Sequence, residues 1–155
     1  MRKAVADVRR RVEVSRAANE RYLEALSVVG ETLPAHKILD PVSRRVIRKG
    51  RSYRPLRPVD PRDVQVFQAI SRGEFFLRDF RNKDLRAFLY PEIPASTAPD
   101  RSNSGRVSRT LRLLRVHGLI AKVAKTHAYC LTTKGNTVIS AAIRLRQTNV
   151  LEIAA

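Results

Sequence analysis

Apolar positions recur at helical spacing in some stretches, alternate in others and lose all period in one, and these changes divide the chain. From Arg2 to Val29 there is no proline or glycine, and Val5, Val8, Val12, Tyr22, Leu26 and Val29 follow a 3-4 spacing in which Ser15 and Asn19 fill two gaps. This predicts one long amphipathic helix over 1–29, stopped by Gly30. Two readings of its stripe stand side by side. It is either a dimeric coiled coil through residues 5–29, with Asn19 at an a-like position fixing register, or a helix packed on its own chain.

Residues 30–60 lose the period. Pro34, Pro41, Pro55 and Pro58 interrupt them, with Pro61 following, and Arg44, Arg45, Arg48, Lys49, Arg51, Arg54 and Arg57 lie between. Proline at this density forbids a continuous helix and removes ladder donors, so the segment reads as an extended basic linker with at most short structure. Lys49-Gly50-Arg51 is similar to basic, glycine-containing arms that enter a minor groove; a solvated linker is the other reading.

Helical spacing returns over 61–148. Asp60 and Pro61 open a helix whose Val64, Val66, Phe67 and Ile70 face inward until Gly73 ends it. Phe75-Phe76-Leu77 reads as a short β-type run. Asn82 then caps a helix from Lys83 to Tyr90 with Leu85, Phe88 and Leu89 inward, and Pro91 terminates it. After a proline-spaced connection, Pro91 to Pro99, a third helix runs over 101–117 to the stop at Gly118, burying Val107, Leu111 and Leu114. Ser102-Asn103-Ser104-Gly105 is a poor helix former, so its first turn is expected to fray. Residues 119–131 read as a β-hairpin with a basic tip at Ala124-Lys125-Thr126, and Thr132 or Thr133 caps a last helix with Val138, Ala142 and Leu145 inward, widened by Ile139 and Ile143. Residues 149–155 read as a tail.

Charge changes the picture more than size does. The 155 residues carry a net charge of +17, which points to a polyanionic partner. Its placement is uneven: 7 basic against 4 acidic side chains in 1–29, 8 against 3 in 30–60, 6 against 6 in 61–100, and 10 against 1 in 101–155. The third block reads as scaffold and the last as the charged face. An apolar share of 43% is enough for a folded core. No apolar run reaches the roughly 18 residues that span a bilayer, and Met1-Arg2-Lys3 leads into no signal-peptide core, so a cytoplasmic protein without a membrane partner is expected. The single cysteine, Cys130, excludes an internal disulfide, and His36, His117, His127 and Cys130 lack metal-ligand spacing. With no G-x-S-x-G, no glycine-rich phosphate loop and no carboxylate pair in the basic third, the chain is read as non-enzymatic, without cofactor or metal.

Helix, short strand, helix, basic helix and hairpin make the order of a winged helix-turn-helix, and the expected fold is mainly α with a small β-hairpin wing, preceded by a long N-terminal helix. Arg109-Thr110-Leu111-Arg112-Leu113-Leu114-Arg115-Val116-His117-Gly118-Leu119-Ile120, followed by Tyr129-Cys130-Leu131-Thr132-Thr133-Lys134-Gly135, resembles the winged-helix core of MarR-type and related bacterial regulators. Ala18-Asn19-Glu20-Arg21-Tyr22-Leu23, Leu39-Asp40-Pro41-Val42-Ser43 and Arg81-Asn82-Lys83-Asp84-Leu85-Arg86 extend the likeness to the C-terminal portion of a group of longer uncharacterised bacterial proteins. That resemblance implies an internal start at Met1, a stand-alone version of a larger module and a bacterial, nucleoid-associated location.

The expected partner is double-stranded DNA, with helix 101–117 in the major groove and wing 119–131 on the backbone, as in transcription regulators. Arg101, Arg106, Arg109, Arg112 and Arg115 have no acidic partner within the helix; Arg109 and Arg112 are placed to read guanine or to hold phosphates. Ser102, Asn103, Ser104 and Ser108 are candidate base or phosphate contacts, or capping residues. Lys122, Lys125 and His127 are assigned to phosphates from the wing, and Arg44, Arg45, Arg48, Lys49 and Arg51 from the linker. His117, at a helix end, is expected to favour protonation and to serve structure or a weak phosphate contact. Cys130 reads as a small buried residue. A protein-interaction module, with the N-terminal helix as the partner surface, is the alternative. RNA recognition leans on aromatic platforms, and here Phe and Tyr fall mostly in core positions.

Overall fold

The computed structural model describes residues 33–93 and 98–147, together with Val12, Glu13, Ser15, Arg16, Asn19, Glu20 and Leu23; Phe76 and Leu77 are described in backbone only. The fold is mainly α, with a two-stranded and a three-stranded antiparallel sheet.

Asp60 and Pro61 do open a helix. The Asp60 carboxylate accepts from the Arg62 amide at 2.9 Å, Pro61 takes the first position where no amide is needed, and α2 (Pro61–Ile70) buries Val64, Phe67 and Ile70. It follows α1 (Ala35–Leu39) and the strands β1 (Val46–Arg48) and β2 (Arg51–Tyr53). Gly73 does not end α2, which stops at Ser71; it begins a short helix, α3 (Gly73–Leu77). The β-type run expected at 75–77 is thus corrected to one helical turn. Three apolar residues in a row do not distinguish turn from strand, and tertiary packing decides: the Phe75 ring lies 5.1 Å from that of Phe80, which heads β3 (Phe80–Arg81).

The next helix, α4 (Asn82–Leu89), is capped by Arg81 rather than Asn82, with the Asp84 carboxylate accepting from the Arg81 amide at 2.7 Å. Leu85 is buried as expected, whereas Phe88 faces outward beneath the Arg72 guanidinium, 4.9 Å from its ring centre. Helix α5 (Ala98–Val116) is continuous through the polar stretch predicted to fray, and it buries Val107, Leu111 and Leu114. Gly118, at φ +79°, ends the turn beyond it. Strands β4 (Ile120–Lys122) and β5 (Ala128–Leu131) form the expected hairpin, and β3 joins β5 through Phe80↔Tyr129 and Arg81↔Ala128, giving the order β3-β5-β4.

Thr132 rather than Thr133 anchors the last helix, α6 (Thr133–Gln147), accepting from the Gly135 amide at 2.9 Å and donating to the Gly118 carbonyl at 2.7 Å. Val138, Ile139 and Ala142 are buried, while Leu145 is exposed. Cys130 is half-buried.

The segment expected to be a solvated linker is folded onto this body. Helix α1 packs against α6, and Leu39, Val42 and Leu56 join the core around Phe67, Ile70, Leu111 and Ile139. Lys49 at φ 51° and Gly50 at φ 70° make the two-residue turn between β1 and β2, the hairpin turn whose twist matches its strands. Prolines limited the length of these elements, not their formation, and the folded unit begins upstream of residue 61.

In the N-terminal segment the described positions are helical, and Arg16 pairs with Glu20 at 3.0 Å. Val12 is 59% exposed, and Ser15 and Asn19 are exposed too, so these three stripe positions are not buried against the described folded body. Val5, Val8, Tyr22, Leu26, Val29, Gly30 and the tail 149–155 lie outside the described residues. Among the described residues no helix is long and apolar enough to cross a membrane.

Candidate nucleic-acid interface

Helix α5 separates two faces. At 100° per residue Arg101, Gly105, Ser108, Arg109, Arg112 and Arg115 fall within about 120° of one another, opposite Val107, Leu111 and Leu114. The four arginines of that outer face are exposed, and no described carboxylate pairs with them. Arg106 is exposed on the flank, and Ser102 is exposed near the N-terminal end. The Arg109 guanidinium lies back along the helix, with Nη1 3.7 Å from where a β-carbon on Gly105 would sit.

Two expected contacts are corrected. Asn103 is 5% exposed and faces the core, so it is unavailable to a ligand. Ser104 is half-buried, and its carbonyl accepts from Asn82 Nδ2 at 3.0 Å. The same Asn82 nitrogen donates to Ser108 Oγ at 2.9 Å, so this serine, though exposed, is already engaged. Together with the Arg86 guanidinium, 3.0 Å from the Asp100 carboxylate, these bonds fix α4 against the first half of α5. They explain why a poor helix-forming sequence stays helical: tertiary hydrogen bonds outweigh a propensity deficit of a few tenths of a kcal/mol per residue.

The far end of α5 is held by the Thr-x-Lys-Gly stretch. Lys134 Nζ donates to the His117 carbonyl at 3.1 Å, Thr132 ties Gly118, and Gly135 lets α6 approach Leu119 so closely that a β-carbon there would lie 1.9 Å from its carbonyl oxygen. The motif's work here is to set the angle between α5 and α6.

His117 is buried, and its Nε2 bonds the Arg54 carbonyl at 3.0 Å. Burial pushes its pKa below the ordinary histidine value, helped by the nearby Lys134 and Arg54 charges and opposed by the bond to Arg54. The expectation of a favoured imidazolium is therefore reversed, because loss of solvent outweighs the helix-end dipole, and a phosphate contact is closed to a side chain this deep. Arg54 in turn grips Asp63 with two bonds, at 2.8 and 2.6 Å, and the Arg57 amide adds a third at 2.8 Å. Burial alone would raise the Asp63 carboxyl, but these bonds and the two arginine charges prevail and hold it below the usual carboxylate range. His117, Arg54 and Asp63 thus connect the end of α5, the strand exit after β2 and the first turn of α2. Sequence reasoning assigned no such role to Arg54 or Asp63, since their partners are set by the fold.

The consequence is a basic cleft of about 410 Å³ lined by Arg48, Lys49, Arg51 and Tyr53 from the first hairpin and Arg112, Arg115 and Val116 from α5. The structure therefore brings three of the assigned linker cations, Arg48, Lys49 and Arg51, to α5. Arg44 and Arg45 are exposed in the turn before β1 and do not line it; Lys122, Lys125 and His127 are exposed on the second hairpin, apart from it. Among the described residues no group of three or more His, Cys, Asp or Glu is placed to hold a metal. Comparison of the chain with family models, curated proteins and solved structures finds no match.

Proposed function

We propose that this chain is a non-enzymatic duplex DNA-binding protein of winged helix-turn-helix form, with α5 entering the major groove behind α4 and the β4–β5 wing resting on the backbone. The observation that carries this reading is the exposed row Arg101, Arg109, Arg112 and Arg115, free of described carboxylates, on a helix locked at both ends. Unpaired arginines on one rigid face suit both guanine edges and phosphates. The β4–β5 hairpin directly after α5, joined by the earlier strand β3 in the order β3-β5-β4, supports the winged form. A regulator-like role in the bacterial cytoplasm, at the nucleoid, goes with it.

The test is titration of a duplex at several salt concentrations. With roughly six phosphate contacts, log K against log salt should fall with a slope near −5. Absence of duplex binding at low salt, or affinity indifferent to salt, refutes the proposal. A random-pool selection then reports specificity, and a palindromic consensus would add two-fold symmetry.

A second reading is a protein-assembly module with the N-terminal helix as its working surface. The exposure of Val12, on the apolar stripe and not buried against the described folded body, favours a role for that segment outside it.

A further inference from the structure

The cleft between the first hairpin and α5 has a charge arrangement that folding alone does not call for. Arg48 and Arg51 are directly opposite each other across β1 and β2, on the face that also carries Tyr53 and turns toward α5. Like charges in that register destabilise a strand pair. Between them Lys49 takes a left-handed conformation, a cost that asparagine, the commoner residue at this turn position, would reduce. Arg112 and Arg115 then face them across the cleft, so five cations, and no carboxylate among the described residues, line one concavity.

The cleft is also built rather than incidental. The hairpin leaves through Arg54, whose guanidinium is clamped by Asp63 and whose carbonyl holds His117 at the end of α5. The hairpin cations are thereby held close to the helix that carries the other two. Guanidinium groups arranged in this way match the oxygens of a phosphate, and none of the five needs to break an ion pair with a described carboxylate to take one.

We infer that this cleft is a phosphate-binding site, and that it grips the backbone of the same duplex that α5 enters, one strand being held between the hairpin and the C-terminal half of the helix. The choice of duplex as the phosphate source rests on the DNA-binding reading above; the phosphate chemistry does not. Arg112 and Arg115 are shared between the α5 face and the cleft, which makes the first hairpin a second clamp beside the wing.

The experiment compares the wild-type chain with R48A/R51A, and with R44A/R45A as a pair of equal charge outside the cleft. R51E, which places a carboxylate opposite Arg48 and favours hairpin pairing, guards against loss through unfolding. Duplex affinity is measured against salt, and melting temperature is measured with tripolyphosphate. The expected result is a slope smaller in magnitude by about 2 for R48A/R51A, with roughly 10- to 100-fold weaker binding near 0.1 M salt, sequence preference kept, and a much smaller change for R44A/R45A. R51E should weaken binding at least as much while melting no lower than wild type. An unchanged slope, with tripolyphosphate raising the wild-type melting temperature but not that of R48A/R51A, keeps the phosphate site and makes its source a free phosphorylated molecule. Equal losses in both alanine pairs, or no effect of R48A/R51A in either assay, overturn the inference and leave the α5 reading intact. A wild-type chain that binds no duplex overturns that reading instead, and tripolyphosphate protection alone then decides the cleft.

Discussion

Asn82 reaches from the first turn of α4 to the outer face of α5, where its amide donates to Ser108 Oγ at 2.9 Å while also meeting the Ser104 carbonyl at 3.0 Å. One residue thus sets how α4 lies against α5. Removing it in N82A leaves the Ser104 carbonyl and Ser108 hydroxyl without that donor, at a cost of about 1–2 kcal/mol in urea denaturation. N82D is expected to be no better, although it is nearly isosteric, because a carboxylate oxygen would then face the Ser104 carbonyl. A stability for N82D equal to wild type would show that shape, not the donor, is what matters.

Two glycines on helices should respond to alanine with opposite signs. At Gly135 the added β-carbon would lie 1.9 Å from the Leu119 carbonyl oxygen, a backbone atom that cannot turn aside. The helix-propensity gain of about 1 kcal/mol is outweighed by the displacement of α6 from β4, and G135A should lose about 3 kcal/mol, or roughly 6–12 °C in Tm. At Gly105 the nearest atom is the far end of Arg109, at 3.7 Å, so G105A should hold or raise stability by up to about 1 kcal/mol. Thermal melts of the two variants side by side check this, and a G135A chain as stable as wild type would disprove the close approach.

What could be read from the chain follows from where each signal resides. The buried stripe Val107, Leu111 and Leu114, the Asp60-Pro61 start, the Gly118 stop and the hairpin after it are local patterns, and all four are present in the fold. The first hairpin was hidden because its strands are three residues long and flanked by prolines, and Leu39, Val42 and Leu56 are buried without any period to announce them. At the candidate site the exposed arginines of α5 were legible from helical geometry. Asn103 was not, since a polar residue on a basic helix reads as exposed until the neighbouring helix is in place. The bond from His117 to Arg54 joins residues 63 apart, and only the fold can supply it.

Two buried groups give acid lability in separate windows. His117 has a folded pKa below the ordinary value of about 6.5, so the unfolded chain takes up its proton first. Stability is therefore full above about pH 7 and declines as pH falls below 6.5 toward the folded value. Asp63 has a folded pKa below the usual carboxylate value of about 3.9, so its contribution is kept above that pH and lost as pH falls through the folded value. Melting temperature followed from pH 8 to pH 3 should show both declines. H117Q, whose amide can still donate to the Arg54 carbonyl, should flatten the first and spare the second, and D63N should lower stability at pH 7 by about 2 kcal/mol. A first decline that survives in H117Q would assign it to another group.

The exposure of Val12, Ser15 and Asn19 leaves part of the N-terminal stripe open to a second copy of the chain. If that stripe makes a coiled-coil dimer, sedimentation equilibrium should give twice the chain mass for residues 1–155 and the single mass for a chain lacking residues 1–30. The proposed DNA-binding face lies entirely outside the removed segment, so per-site affinity should be kept while any gain from two-fold binding is lost. Equal masses for the two chains would remove the case for a dimer through this helix.

Arg109 and Arg112 stand three residues apart on one face yet should behave differently. Arg112 lines the cleft with the first hairpin, where the five cations favour phosphate, whereas Arg109 lies back over Gly105 toward the N-terminal half of α5, away from the cleft. R112A should therefore weaken all duplexes alike and reduce the magnitude of the salt slope by about 1. R109A should cost about 1–3 kcal/mol on the preferred duplex and much less on others, since a bidentate contact to guanine is lost only where guanine is present. Affinities of both variants for the selected duplex and for scrambled ones measure the contrast. A uniform loss in R109A would reduce α5 to a backbone-binding helix, and the charge on this face would then serve affinity without sequence preference.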